Sequence, residues 1–261
     1  MIILLLLTCG FCFGQDLNQT VEWKRQLYEN LYKSNFKDSL TKYDFSLLWT
    51  ETENSAVYGF VGSNYQRLRI KIISAKKDLK HPDTYNISGK SMVQNKISDF
   101  NGTIRIDSFR IYKQMHLGAD EMYKDSGIQM QGLVIARYHF SVDSAKYHLG
   151  AFDGNVTSLW FIDKDGQLKY DDIELYSDYY NNNLFVGTWT NSKNEKVISN
   201  WGDYRAPYCG NLDIGAGGFS PSDSYLRYGW QTIRDAYDSD KIDSLTQSLA
   251  RHEEERQWWK K

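Results

Sequence analysis

The chain has 261 residues, of which 41% are hydrophobic, 25% are charged and only three are proline. This composition excludes a disordered or collagen-like chain, and a chain of this length can bury a core without disulfide staples. Lysine and arginine number 31 against 33 acidic residues, a formal net charge of -2. That balance argues against a general nucleic-acid binder, which would carry a basic surplus.

The first segment, residues 2–13, is an unbroken apolar run that ends just before Gly14. A helix of this length spans about 18 Å, too little for the ~30 Å hydrocarbon core of a bilayer. An apolar run of this length with a small residue at its end is typical of a secretory signal, so we predict a signal peptide over residues 1–14 and a secreted or periplasmic location. Two alternatives stay open: a buried N-terminal strand, and a lipoprotein signal that would anchor the protein at the cell envelope through an acylated Cys9.

Loss of the signal would also remove Cys9 and Cys12 and leave Cys209 as the only thiol. A single thiol excludes an internal disulfide and a cysteine-rich zinc site. As a nucleophile, Cys209 would need a histidine brought close to it in space, and the sequence indicates none. We interpret Cys209 as a buried, unreactive thiol.

Residues 15–43 are predicted to form an N-terminal helix and linker. Between Leu17 and Tyr32 the apolar residues recur at close to helical spacing, which predicts a helix over 17–36. Its aromatic-rich face indicates that it lies across a sheet.

Residues 44–234 are predicted to form an antiparallel β domain with a C-terminal loop region. Apolar and polar residues alternate in segments that short, turn-like stretches separate. Asn101-Gly102 and Asp165-Gly166 are predicted as turns because these dipeptides supply the positive φ angles of a tight hairpin. The predicted strands are 57–61, 68–72, 85–89, 103–106, 131–140, 158–162, 167–170, 184–190 and 196–201.

Residues 235–261 are predicted to form a C-terminal helix, since Ile242, Leu245 and Leu249 share one helical stripe. Trp258 and Trp259 follow a charged stretch, and we expect them to dock back on the body of the protein. Because no helices interrupt the strands, the predicted fold class is mainly β (α+β). It is an antiparallel β-barrel or sandwich with N- and C-terminal helices.

The most distinctive stretch for function is 201–210, where aromatic and charged side chains fall close together. We predict a ligand-binding site that consists of Trp201, Asp203, Tyr204, Arg205 and Tyr208. Aromatic rings stack on the C–H surface of a sugar, while carboxylate and guanidinium groups pair with its polar edges. The alternative is a structural loop whose rings fill the last layer of the core.

Catalysis by paired carboxylates is the main enzymatic alternative. Two carboxyl groups about 5 Å or about 6.5–9.5 Å apart can cleave glycosidic bonds. With 33 acidic residues in the chain, a suggestive pair arises by chance, so we favour a non-catalytic protein. The candidate carboxylates are Asp171, Asp172, Glu174, Asp203 and Asp213.

Metal binding is considered at two places. Asp163-Lys164-Asp165-Gly166 is similar to the start of a calcium loop, but Leu168 stands where the loop requires glycine, so we predict a hairpin. His139 and His148 could meet across neighbouring strands, although hydrogen-bonded histidines are the interpretation that we favour. We predict no metal and no cofactor.

Gly187-Thr188-Trp189, after a strand-rich middle, resembles the G-x-W turn that closes one end of lipocalin or calycin-type barrels. In that family the motif lies on the first strand, whereas here it follows most of the strands. The signal-like start and the richness in Lys, Asn and Tyr are similar to uncharacterised secreted β-rich proteins of Gram-negative bacteria. These resemblances imply a secreted barrel protein and carry no site residues across.

These features together predict an exported, non-catalytic protein that binds a small molecule, a glycan or an envelope protein. A glycan hydrolase and a structural envelope component are the alternatives. We expect no nucleic-acid partner, and contact with a membrane only through a lipid on Cys9.

Overall fold

The structure, a computed structural model, describes residues 31–143, 148–237 and 243–260, without the side chains of Ala119 and His148. The predicted signal peptide and residues 17–30 of the predicted N-terminal helix lie outside this part of the chain. The helices are α1 (Lys37–Leu40), α2 (Ser46–Thr50), α3 (Gln231–Tyr237) and α4 (Ser244–Glu255). The strands are β1 (Val57–Val61), β2 (Gln66–Lys77), β3 (Thr84–Val93), β4 (Lys96–Ile111), β5 (Met130–Asp143), β6 (His148–Ile162), β7 (Leu168–Tyr170), β8 (Asn182–Asn191) and β9 (Lys196–Asp203).

Eight of these strands close into an antiparallel barrel. Strands β1 to β6 pair in chain order, β6 also pairs with β8, and β8 pairs with β9. Pairing of β9 with β1 closes the ring. The short strand β7 pairs with the last three residues of β6, Trp160–Ile162. The predicted mainly β fold is confirmed. Of the two predicted architectures, the barrel is the one that forms.

The predicted hairpins have mixed outcomes. The turn at Asp165-Gly166 is confirmed, because the Asp163 carboxylate accepts hydrogen bonds from the backbone of Asp165 and Gln167. The turn at Asn101-Gly102 is wrong, since both residues lie inside β4 and the chain reverses at 94–95, where both φ angles are positive. Gly102 serves close packing instead: a Cβ there would lie 1.9 Å from the His139 carbonyl oxygen.

Large aromatic side chains fill the interior of the barrel. Trp201 stacks on Phe185 with ring centroids 4.6 Å apart, and Tyr138 meets the Trp201 ring edge to face at 5.1 Å. Gly187 makes room for this cluster, because a Cβ there would lie 2.5 Å from the Tyr138 hydroxyl. The Gly187-Thr188-Trp189 motif therefore lies within strand β8 and is not a turn.

Helices α1 and α2 form a plug in one end of the barrel. Phe45 donates its backbone N–H to the Tyr85 hydroxyl at 3.0 Å. The Trp49 indole donates to Ser158 Oγ at 2.9 Å, and both plug residues are buried. The predicted N-terminal helix is wrong over its described end, since residues 31–36 are not helical, and both plug helices begin after it.

The C-terminal segment covers the outside of β1, β2 and β9. Glu254 of α4 forms a buried bidentate ion pair with Arg67 of β2, and Trp258 is buried beside Arg69. The docking of Trp258 is thus confirmed. The predicted apolar stripe does not pack on the barrel, since Leu245 and Leu249 are 67% and 63% exposed. Helix α4 contacts the barrel through ion pairs instead.

Candidate functional site

A cleft of about 690 Å³ opens on the surface at the plugged end of the barrel. Its walls come from four separate segments: the residues after α2, the loop between β4 and β5, the β6–β7 hairpin with the loop that follows, and the residue after β9. Three tyrosines, Tyr123, Tyr170 and Tyr204, contribute rings to the walls. We call this the tyrosine cleft.

Acidic side chains outnumber basic ones around the tyrosine cleft. The carboxylates among the lining residues are Glu51, Glu53, Asp163, Asp165 and Asp172, and the cations are Lys164 and Lys169. This surplus of negative charge repels anionic ligands and favours neutral or cationic ones. Phe161 and Ile173 add apolar surface between the polar groups.

A buried carboxylate lies directly behind the cleft wall. Asp203 is 4% exposed, and its Oδ2 atom accepts hydrogen bonds from Thr52 Oγ1 at 2.7 Å, Asn183 Nδ2 at 2.6 Å and the Tyr170 hydroxyl at 3.0 Å. Burial raises the pKa of Asp203 to about 7, although the three donors and the charge of Lys71 act in the opposite direction. Because Thr52 and Tyr170 also line the cleft, Asp203 fixes two of its wall residues from behind.

A second buried carboxylate holds the loop that forms one rim of the cleft. Asp171 accepts a hydrogen bond from Gln131 Nε2 at 2.7 Å, and burial raises its pKa to about 6. The carbonyl oxygen of Asp171 accepts from the hydroxyl of Tyr180 and from Asn182 Nδ2. These contacts hold Asp171 against Gln131 of β5 and Asn182 of β8, and the exposed residue Asp172 follows directly after it.

The structure separates the five residues predicted to bind a ligand. Tyr204 lines the tyrosine cleft, and Asp203 lies behind its wall. Trp201 is 2% exposed inside the barrel, where it belongs to the aromatic core. Arg205 pairs with Asp213 and donates to the carbonyl groups of 215–217, and Tyr208 is half-buried outside the cleft lining. Two of the five residues are therefore brought to this site.

The other acidic candidates are also dispersed. Asp172 lines the cleft. Glu174 accepts a hydrogen bond from the backbone N–H of Gly118, and Asp213 forms an ion pair with Arg205. On the outer face of the barrel, His139 Nδ1 pairs with Asp153 at 2.6 Å. In the part of the chain that the structure describes, no cluster of three or more potential metal ligands occurs.

Sequence reasoning missed Tyr170, Tyr123 and Glu53 as cleft residues. These three residues lie 47 to 117 positions apart in the sequence, and only barrel closure brings their segments together. The available signal was the clear hairpin over 158–170, whose last residue is Tyr170.

Comparisons with known proteins give no family to which this site could be assigned. The chain matches no protein-family model, no curated protein and no solved structure. Within residues 31–143, 148–237 and 243–260, no helix is both long and apolar enough to cross a membrane.

Proposed function

We propose that this protein is an exported, non-catalytic binding protein that holds a neutral or cationic glycan in the tyrosine cleft. The barrel fold is compatible with small-molecule binding. The observation that carries the proposal is the combination, in one cleft of about 690 Å³, of tyrosine rings with a surplus of carboxylates. Tyrosine faces stack on the C–H surface of sugar rings, and carboxylates accept hydrogen bonds from sugar hydroxyl or ammonium groups.

A binding role is favoured over glycan hydrolysis by the position of Asp203. Hydrolysis requires two carboxyl groups on either side of one glycosidic bond. The Asp203 carboxyl is buried and accepts hydrogen bonds from Thr52, Asn183 and Tyr170, so its role here is to position Tyr170 and Thr52. Asp172 then serves as a hydrogen-bond acceptor for the ligand.

Export belongs to the proposal because of the apolar segment 2–13, which lies outside the described residues. Intact-mass measurement of the mature protein tests it, with an N-terminus at Gln15 as the expected result. A chain that retains residues 1–14 would contradict export without affecting the glycan site.

The glycan site is tested by calorimetric titration with three oligosaccharides that differ in charge. Chitosan oligomers are cationic, N-acetylated chitin oligomers are neutral, and oligogalacturonate is anionic. We expect saturable binding of at least one of the first two and none of the third. Tyr204→Ala should weaken binding about fivefold, because one stacked ring contributes on the order of 1 kcal/mol.

Tyr237→Ala is the matched control, since Tyr237 is a half-exposed tyrosine that does not line the cleft. Its binding should equal that of the wild type. Absence of saturable binding for all three sugars, or equal binding by the Tyr204 variant, would remove the proposal and favour a structural role in the envelope.

A further inference from the structure

A second recess lies at the end of the barrel opposite the plug. It has a volume of about 240 Å³, and its walls come from the ends of β1, β3, β5 and β8 and the starts of β4 and β6. Val142 and Phe152 are buried at its base, and Leu149 and Trp189 are partly exposed at its side. We call this the open-end recess.

The aromatic wall of the open-end recess is held in place before any ligand arrives. The rings of Phe152 and Trp189 lie 4.6 Å apart at a tilt of 49°. On another side, a Cβ at Gly150 would lie 2.6 Å from the Trp189 ring, so the backbone packs directly against the indole. A preformed wall of two tilted rings suits a flat aromatic group, which can meet one ring by its face and the other by its edge.

The charge of the recess is set by one residue. Lys96, at the start of β4, is exposed, and among the described residues that line the recess it alone is charged. Within the described part of the chain, Lys96 takes part in no salt bridge. An apolar recess with one unpaired ammonium group at its rim favours an apolar ligand that carries a single negative charge.

We propose that the open-end recess binds a small aromatic monocarboxylate, with its ring against Phe152 and Trp189 and its carboxylate at Lys96 Nζ. The volume supports a ligand with one ring, since it falls below the roughly 300–1,000 Å³ of pockets for drug-sized molecules. The deeper barrel interior is filled by the core, so the ligand occupies the rim only. This site is separate from the tyrosine cleft and does not depend on the glycan proposal.

The test is an NMR titration of the full-length mature protein with three single-ring probes of equal size. Benzoate is anionic, benzamide is neutral and benzylammonium is cationic. We expect saturable shifts with affinity in the order benzoate, benzamide, benzylammonium. Lys96→Gln should weaken benzoate about threefold to fivefold, the range of an exposed ion pair, and leave benzamide unchanged.

Two further variants locate the site. Leu149→Ser at the side of the recess should weaken benzoate and benzamide alike, whereas Leu245→Ser on the exposed face of α4 should change neither. Both leucines are at least partly exposed, so these variants keep the buried core intact. The proposal is overturned if no probe saturates, if benzylammonium binds tightest, or if Lys96→Gln retains the preference for benzoate.

Discussion

The two ends of the barrel are formed by the same eight strands, but different residues occupy the space at each end. At the plugged end, Phe45 and Trp49 enter the barrel and a buried carboxylate, Asp203, connects the plug to the wall. At the open end, Trp189 and Leu149 remain partly exposed, and Lys96 is the charged residue among the described residues that line the recess. The groups at the plugged end come largely from segments outside the barrel strands, whereas those at the open end come from the ends of the strands themselves.

The largest expected difference between the two ends is in stability. Phe45 is fully buried between Phe109 and Trp160, so Phe45→Ala should lower the free energy of unfolding by about 3–5 kcal/mol. Trp189→Ala at the open end should cost less, about 2 kcal/mol, since its side chain is partly exposed. Urea unfolding with unchanged m-values measures both, and equal losses would show that the plug is not the more tightly packed end.

Asp203 gives the plugged end a pH dependence. Its pKa rises from 3.8 to about 7 on folding, so between these values the folded state retains a proton that the unfolded state has lost. The free energy of unfolding should therefore fall as pH rises through this window, by at most about 1.4 kcal/mol per pH unit for this one group, and level off above pH 7.

Asp203→Asn removes this titration and should flatten the unfolding free energy between pH 5 and 8. Asp171, with its pKa raised to about 6, leaves a smaller slope below neutrality in the variant. Asp99→Asn is the control, since Asp99 is an exposed carboxylate at the open end. The explanation fails if the Asp203 variant and the wild type have parallel pH curves over this range.

The strands could be predicted from sequence because their signals are local. Alternation and turn residues identify the hairpins of 57–72 and 158–170, which lie close together in the chain. Asn101-Gly102 shows the limit of such reasoning. Its turn preference is overridden because β4 continues through it, and the glycine is required where the His139 carbonyl of β5 approaches.

The site could be predicted only in part, since its contacts are long-range. Tyr204 and Asp203 are predicted because aromatic and charged side chains cluster in 201–210, but the partners of Asp203 lie 20 to 151 residues away. The C-terminal segment outside the barrel also depends on long-range contacts, since Arg67 of β2 forms an ion pair with Glu254, 187 residues later. No local pattern predicts that Asp203 will be buried beside the plug or that Glu254 will be buried against β2.

The last two predictions concern tyrosine hydroxyls, one in the middle of the barrel and one at the plugged end. The buried hydroxyl of Tyr138 has no hydrogen-bond partner among the described residues, while its ring packs on Phe185 and Trp201. Tyr138→Phe keeps the ring and removes the unsatisfied group, so the free energy of unfolding should stay constant or rise by up to about 1 kcal/mol.

Tyr170→Phe makes the same chemical change where the hydroxyl donates to Asp203. At pH 8, where Asp203 is charged, this variant should lose about 1.5–3 kcal/mol, the contribution of a hydrogen bond to an ionised group. Opposite signs for the two substitutions would establish that a tyrosine hydroxyl stabilises the barrel where Asp203 accepts its hydrogen bond and does not where it has no partner. A stabilised Tyr170 variant would contradict the network around Asp203, because its hydroxyl would then have no partner to lose.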